Sequence, residues 1–288
     1  MNIIARTLQQ HISIVRNNLL AVVMALATVA VVVYYGIAEQ KIPHALGYLG
    51  AVWLCAFITD VVVNLLPIET IGFPIKKPVG KEVLLITICT LLGIAFLLIR
   101  FFSGWETLKP IIRMAVMPLI LFTFPIVLGA VYLFVYKYKF KELGVNLNYW
   151  YLPLILHPIW GAITMAVAPH KSHWVDAYEK YGILEMLVMG LLTAALAEEF
   201  LRMLLQTRLA KFINSGSIAL VIASVVWALM HMPINMRDNP GAGVGDVAIG
   251  TLVIVPLGLF WGYLNYRTKS LIPALLMHGF NLWGLQNL

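Results

Sequence analysis

The feature that most constrains this chain is a succession of long apolar runs, separated by short polar connections. A helix needs about 20 consecutive apolar residues to cross the hydrocarbon of a bilayer. Only 11% of the 288 residues are charged and 61% are hydrophobic, against roughly 25% charge in ordinary soluble domains. A soluble fold has nowhere to bury that much apolar surface, and the same excess rules out a disordered chain and a nucleic-acid module. Only helices and closed barrels satisfy the backbone in lipid. Long runs without period-two alternation exclude the barrel. The expected fold is therefore all-α, a polytopic integral membrane bundle with eight to nine transmembrane helices.

The expected spans are 19–37, 45–66, 83–102, 115–136, 150–168, 183–212, 217–232, 247–266 and 271–288, the fifth broken by Pro153 and Pro158. Long connections fall at 67–81, 103–114, 170–181 and 233–245. Residues 1–18 read as a polar, weakly amphipathic lead-in without a signal-peptide cleavage site. The net charge of +7 needs no nucleic-acid partner, because basic loops on one membrane face give the same excess. Lys76, Lys77, Lys81, Lys137, Lys139, Lys141, Arg208, Lys211, Arg267 and Lys269 all fall on the side of Arg6 and Arg16. This bias puts the N-terminus in the cytoplasm, and a bacterial or archaeal cell membrane is the expected location. Cys55 and Cys89 lie in apolar runs and read as small buried residues. No internal repeat is visible. Residues 1–180 carry spans without a motif, and 181–288 carry the motifs.

Ionisable residues inside spans are expensive and are functional candidates by default. They are Asp60, Glu185, Glu198, Glu199 and Arg202, with His157, His231 and His278 within or at the ends of spans. The densest group is Ala197-Glu198-Glu199-Phe200-Leu201-Arg202. Both Glu198–Arg202 and Glu199–Arg202 can meet on one helix face. One carboxylate would then be held by the arginine and the other left as a general base. A second group, Trp227-Ala228-Leu229-Met230-His231, puts an aromatic ring and a histidine on one face before Pro233 ends the helix. A third, Ser270 to Asn281, carries His278 with Asn281 one turn further on. Each alone has an ordinary structural explanation: an internal ion pair, an interfacial histidine, or a polar contact between helices. Their depths agree, however. At about 1.5 Å per residue, Glu198 and His231 lie roughly 21–23 Å from the turn at 213–216, and His278 lies roughly 16 Å from the same face.

In this order the three groups resemble the CPBP (Abi) family of intramembrane proteases, which includes the type II CAAX prenyl endopeptidases and bacteriocin-processing proteins. The resemblance covers about residues 181–288, including Arg202–Leu209 and Tyr266–Leu271. Two spacings differ. The family pattern is Glu-Glu-x-x-x-Arg, whereas two residues separate Glu199 from Arg202. The family also places Asn or Asp four residues after the last histidine, whereas Asn281 follows His278 by three. With Arg202 as the anchor, Glu198 matches the second glutamate and Ala197 replaces the first. With the glutamates as the anchor, Glu198 matches the first.

The resemblance implies peptide-bond hydrolysis on a membrane-embedded or lipidated protein or peptide in the bilayer. Glu198 with His231 would activate a water, His278 and Asn281 would donate to the oxyanion, and Glu199, Arg202 and Trp227 would orient them. No cofactor is expected. The alternative is zinc on Glu198, His231 and His278, with an open position for water. A rival of another class is a non-catalytic transporter or immunity-type binding protein, with which Asp60 and the proline-bearing spans are compatible. His170 and His173 read as a solvated loop, His157 as a contact at a helix break, and most tryptophans and tyrosines as interface anchors. The loop 233–245, directly after His231, is placed to gate the site.

Overall fold

The computed structural model describes residues 2–102, 126–167, 178–179, 182–183 and 188–281. Among these, all regular structure is helical and no strand is present. Five stretches are long and apolar enough to cross a membrane: Leu19–Ala38, Ile42–Leu65, Val79–Ile99, Gly216–Asp238 and Val244–Thr268. Ile126–Val135 and Leu152–Val167 are shorter apolar helices. The count of eight to nine spans rests in part on 115–125, 168, 184–187 and 282–288, which lie outside the described residues.

Helix α1 (Ile3–Asn17) turns the polar lead-in into an amphipathic helix capped by Asn2, whose side chain accepts from the Ile4 amide. Ile4, Leu8, Ile12 and Val15 lie exposed on one face, as in helices that rest in the membrane interface. The other face packs on α3 (Ile42–Leu65), which follows α2 (Leu19–Ala38). There the Asn64 amide donates to Thr7 and Gln10, and Arg6 donates to the Asn64 carbonyl. Asp60, fully buried, accepts from His11 Nε2 at 2.6 Å and from the Tyr263 hydroxyl at 2.6 Å, and it pairs with Arg267. The intramembrane carboxylate of α3 is thus held within a structural network that joins three helices.

After α4 (Val79–Phe102) the description resumes at α5 (Ile126–Val135), followed by α6 (Leu152–Val167). Neither proline breaks α6. Pro153 sits in the first turn, where the missing N–H has no helical partner anyway, and Pro158 lies inside a continuous helix, as membrane helices tolerate. His157 accordingly marks no break; its ring meets Phe280 edge-on at 4.8 Å. A π-helical segment, Val188–Ala195, then leads into α7 (Leu196–Phe212).

A tight turn connects α7 to α8 (Gly216–Leu229), whose N-cap Ser215 accepts from the Ile218 amide. The two helices pack as a hairpin. Pro233 does not stop a helix. Helix α8 ends earlier, at Leu229, and Pro233 opens the short α9 (Met232–Asp238), where a proline in the first turn costs no hydrogen bond. Most of the expected loop 233–245 is therefore helical. The chain closes with α10 (Val244–Thr251), a 3₁₀ turn at Leu252–Ile254, α11 (Val255–Thr268) and α12 (Ile272–Asn281).

One core gathers residues of α2, α3, α6, α8, α11 and α12; the other gathers α4, α5 and α7. In the second core Glu82 of α4 is buried and accepts from Arg208 Nε at 2.9 Å and from the Tyr138 hydroxyl. The Arg208 guanidinium also lies over the Tyr132 and Tyr138 rings. Removing one partner of a buried pair strands the other charge, so Glu82→Ala is expected to cost about 3–5 kcal/mol. Lys76→Ala breaks the more open bridge to Glu142 and should cost under about 1 kcal/mol. Thermal unfolding of both variants in detergent checks the contrast.

Candidate active site

Successive residues on a helix point about 100° apart, so Glu198 and Glu199, both in the first turn of α7, meet different neighbours. Glu199 is fully buried. It pairs with Arg202 one turn along the helix and faces His278 Nδ1 at 3.0 Å. Arg202 spends its other terminal nitrogen on the Gly258 carbonyl, 2.8 Å away in α11. Of the two pairings open in the sequence, Glu199–Arg202 forms and Glu198–Arg202 does not. Glu198 instead accepts from Trp227 Nε1 at 2.6 Å and faces His231 Nε2 at 3.5 Å and His278 Nε2 at 3.7 Å. Both distances exceed a direct hydrogen bond, so carboxylate and imidazoles do not consume one another. The side chains of Glu198 and His231 are each 25% exposed, whereas those of Glu199, Arg202 and His278 are exposed by 3% or less.

The end of α8 sets His231. Its amide bonds to the Ala228 carbonyl rather than to that of Trp227. The Trp227 carbonyl is thereby left to His231 Nδ1, at 3.0 Å. A carbonyl only accepts, so Nδ1 carries the proton and Nε2 faces Glu198. Trp227 therefore holds both partners, the carboxylate through its ring nitrogen and the histidine through its backbone. Its ring also meets His231 edge-on at 4.9 Å.

Helix α11 supplies the rear of the site. Trp261 stacks on His278 with centroids 4.0 Å apart and planes 13° apart. Gly258 offers its carbonyl to Arg202, and Gly262 offers its carbonyl to Gln206. A Cβ at Gly262 would lie 2.5 Å from Arg202 Nη1, and one at Gly258 would lie 2.9 Å from the Trp227 ring. The signal available in the sequence was the Gly258-x-x-x-Gly262 spacing, which lets membrane helices approach closely. Trp160, Trp227 and Trp261 are buried, so these three tryptophans are core and site residues rather than interface anchors.

No hydrogen bond joins the other expected residues to the cluster among the described residues. Asn281, half-buried, has a buried Oδ1 without a hydrogen-bond partner and makes no hydrogen bond to Glu198, His231 or His278 among the described residues. Glu185, His170 and His173 fall outside the described residues. Zinc would draw on Glu198, His231 and His278, but among the described residues no group of three His, Cys, Asp or Glu side chains is disposed to hold a metal ion. Glu198 Oε2 already accepts from Trp227.

The fold is thus that of a polytopic helical membrane protein in which two histidines and a partly open carboxylate converge within the bundle. Residues 180–283, which carry the three motifs, match the family model described as type II CAAX prenyl endopeptidase Rce1-like. No curated protein and no solved structure matches the chain. The matched segment takes in α7 to α12, and with them Glu198, Glu199, Arg202, Trp227, His231, His278 and Asn281.

Gly262→Ala must displace the Arg202 guanidinium and should lower both melting temperature and the activity proposed below, the latter at least about tenfold. Gly161→Ala, where an added Cβ meets nothing within 4 Å, should leave both unchanged. Paired unfolding and activity measurements test the contrast.

Proposed function

We propose that the chain is an intramembrane endopeptidase that hydrolyses a peptide bond of a membrane-associated or prenylated protein with a glutamate-activated water. The observation that carries this reading is the division between adjacent carboxylates. Glu199 is spent on Arg202 and His278, while Glu198 is partly open and faces two histidine Nε2 atoms. A general base needs unused acceptor capacity and access to water; Glu198 has both, and Glu199 has neither.

In this mechanism Glu198 takes a proton from a water as the oxygen attacks the scissile carbonyl. His231 assists through Nε2, and Trp227 holds both groups in register. The developing oxyanion is stabilised by donation from His278 Nε2 of the protonated ring, whose Nδ1–H is taken by Glu199, with Asn281 as a second donor once substrate is bound. Glu199, held by Arg202, anchors His278 through Nδ1. The proton held by Glu198 passes to the leaving amine. No serine or cysteine nucleophile is required.

The test is cleavage of a quenched-fluorescent farnesylated CAAX peptide by protein in proteoliposomes. Glu198→Gln is expected to lower kcat by about 10²–10⁴ with little change in melting temperature. His278→Gln should cost about 10²–10³. Glu199→Gln should lower activity and melting temperature together, because it strands Arg202. Full cleavage by all three variants, or none by the wild type, would overturn the reading. Dialysis against a chelator should leave the rate unchanged; a loss restored by stoichiometric zinc would make Glu198 a ligand instead of a base.

A further inference from the structure

Trp261 is fully buried in α11, and its indole nitrogen has no hydrogen-bond partner among the described residues. Buried tryptophans ordinarily satisfy that donor. Filling space alone would be served by phenylalanine or leucine without the orphaned polar atom. What the indole does supply is a broad flat face laid parallel to the His278 imidazole at 4.0 Å.

His278 has two in-plane contacts, Nδ1 to Glu199 at 3.0 Å and Nε2 towards Glu198 at 3.7 Å. In-plane contacts leave the ring free to tilt about the line joining them. The indole face removes that freedom, and the edge of Trp227, at 5.8 Å and 88°, abuts the same imidazole. Trp261 is itself held edge-on by Trp227 at 5.3 Å. One turn before Trp261, on the same side of α11, the Gly258 carbonyl fixes Arg202 and through it Glu199. Two positions three residues apart on one helix thus control the plane and the in-plane anchor of one imidazole.

We propose that Trp261 is a positioning residue for hydrolysis, holding His278 so that Nε2 points at the reacting carbonyl; this rests on the role given to His278 above. It touches neither water nor substrate, and its contribution is to kcat through the imidazole. Displacing a reacting group by about 1 Å can cost about a hundredfold.

The experiment compares Trp261→Leu, Trp261→Met and Trp261→Phe in proteoliposomes with the farnesylated CAAX peptide, with thermal unfolding in parallel. Leucine and methionine fill volume without a flat face and should lower kcat about 10–100-fold with KM within about twofold. Phenylalanine restores the face without the indole nitrogen and should return kcat to within about threefold of wild type. Methionine keeps the comparison available if the leucine variant does not fold. The proposal is overturned if the aliphatic variants keep wild-type kcat, if only KM changes, or if phenylalanine is as slow as leucine. His278→Gln is assayed alongside: if it cleaves at the wild-type rate, the fault lies in the role given to His278 and not in the stacking.

Discussion

A charge cannot sit alone in hydrocarbon, and the ion pair of Glu199 with Arg202 is how α7 meets that constraint. Its consequences reach outward. Arg202 needs a second acceptor, and the Gly258 carbonyl provides it only because α11 comes close enough at two glycines. Glu199 needs a second donor, and His278 of α12 provides it. The pair therefore fixes the mutual placement of three helices. With Glu199 occupied, the neighbouring Glu198 turns to Trp227 and the open side.

Much of the fold was legible because lipid imposes a simple rule on sequence. The runs at 19–37 and 45–66 became α2 and α3 with ends within a few residues. The motif helix was harder to bound: its polar residues weaken the apolar run, and a π-helical segment precedes α7. Pro158 and Pro233 misled in opposite ways. The first is absorbed within a helix, and the second opens one, since proline's cost depends on its place in the turn. The polar face of α1 could not be read as a docking face, because its partner Asp60 lies 49 residues away from His11.

The candidate site shows the same division. Glu198, Glu199, Arg202, His231 and His278 stand out as rare polar residues in apolar spans, and the chain brings them together. Which glutamate the arginine holds was not decidable from spacing, since three and four residues are both one turn. Trp261 was invisible for a different reason: it is an apolar residue in an apolar helix, and only its stacking on His278 reveals its place.

The break between α8 and α9 has one more implication. The proton on His231 is assigned by a main-chain carbonyl that the helix end releases from its own ladder. The tautomer is thus written in the path of the backbone, where exchange of neighbouring side chains does not erase it. The side chains around the histidine can change while the nitrogen that faces Glu198 stays the same.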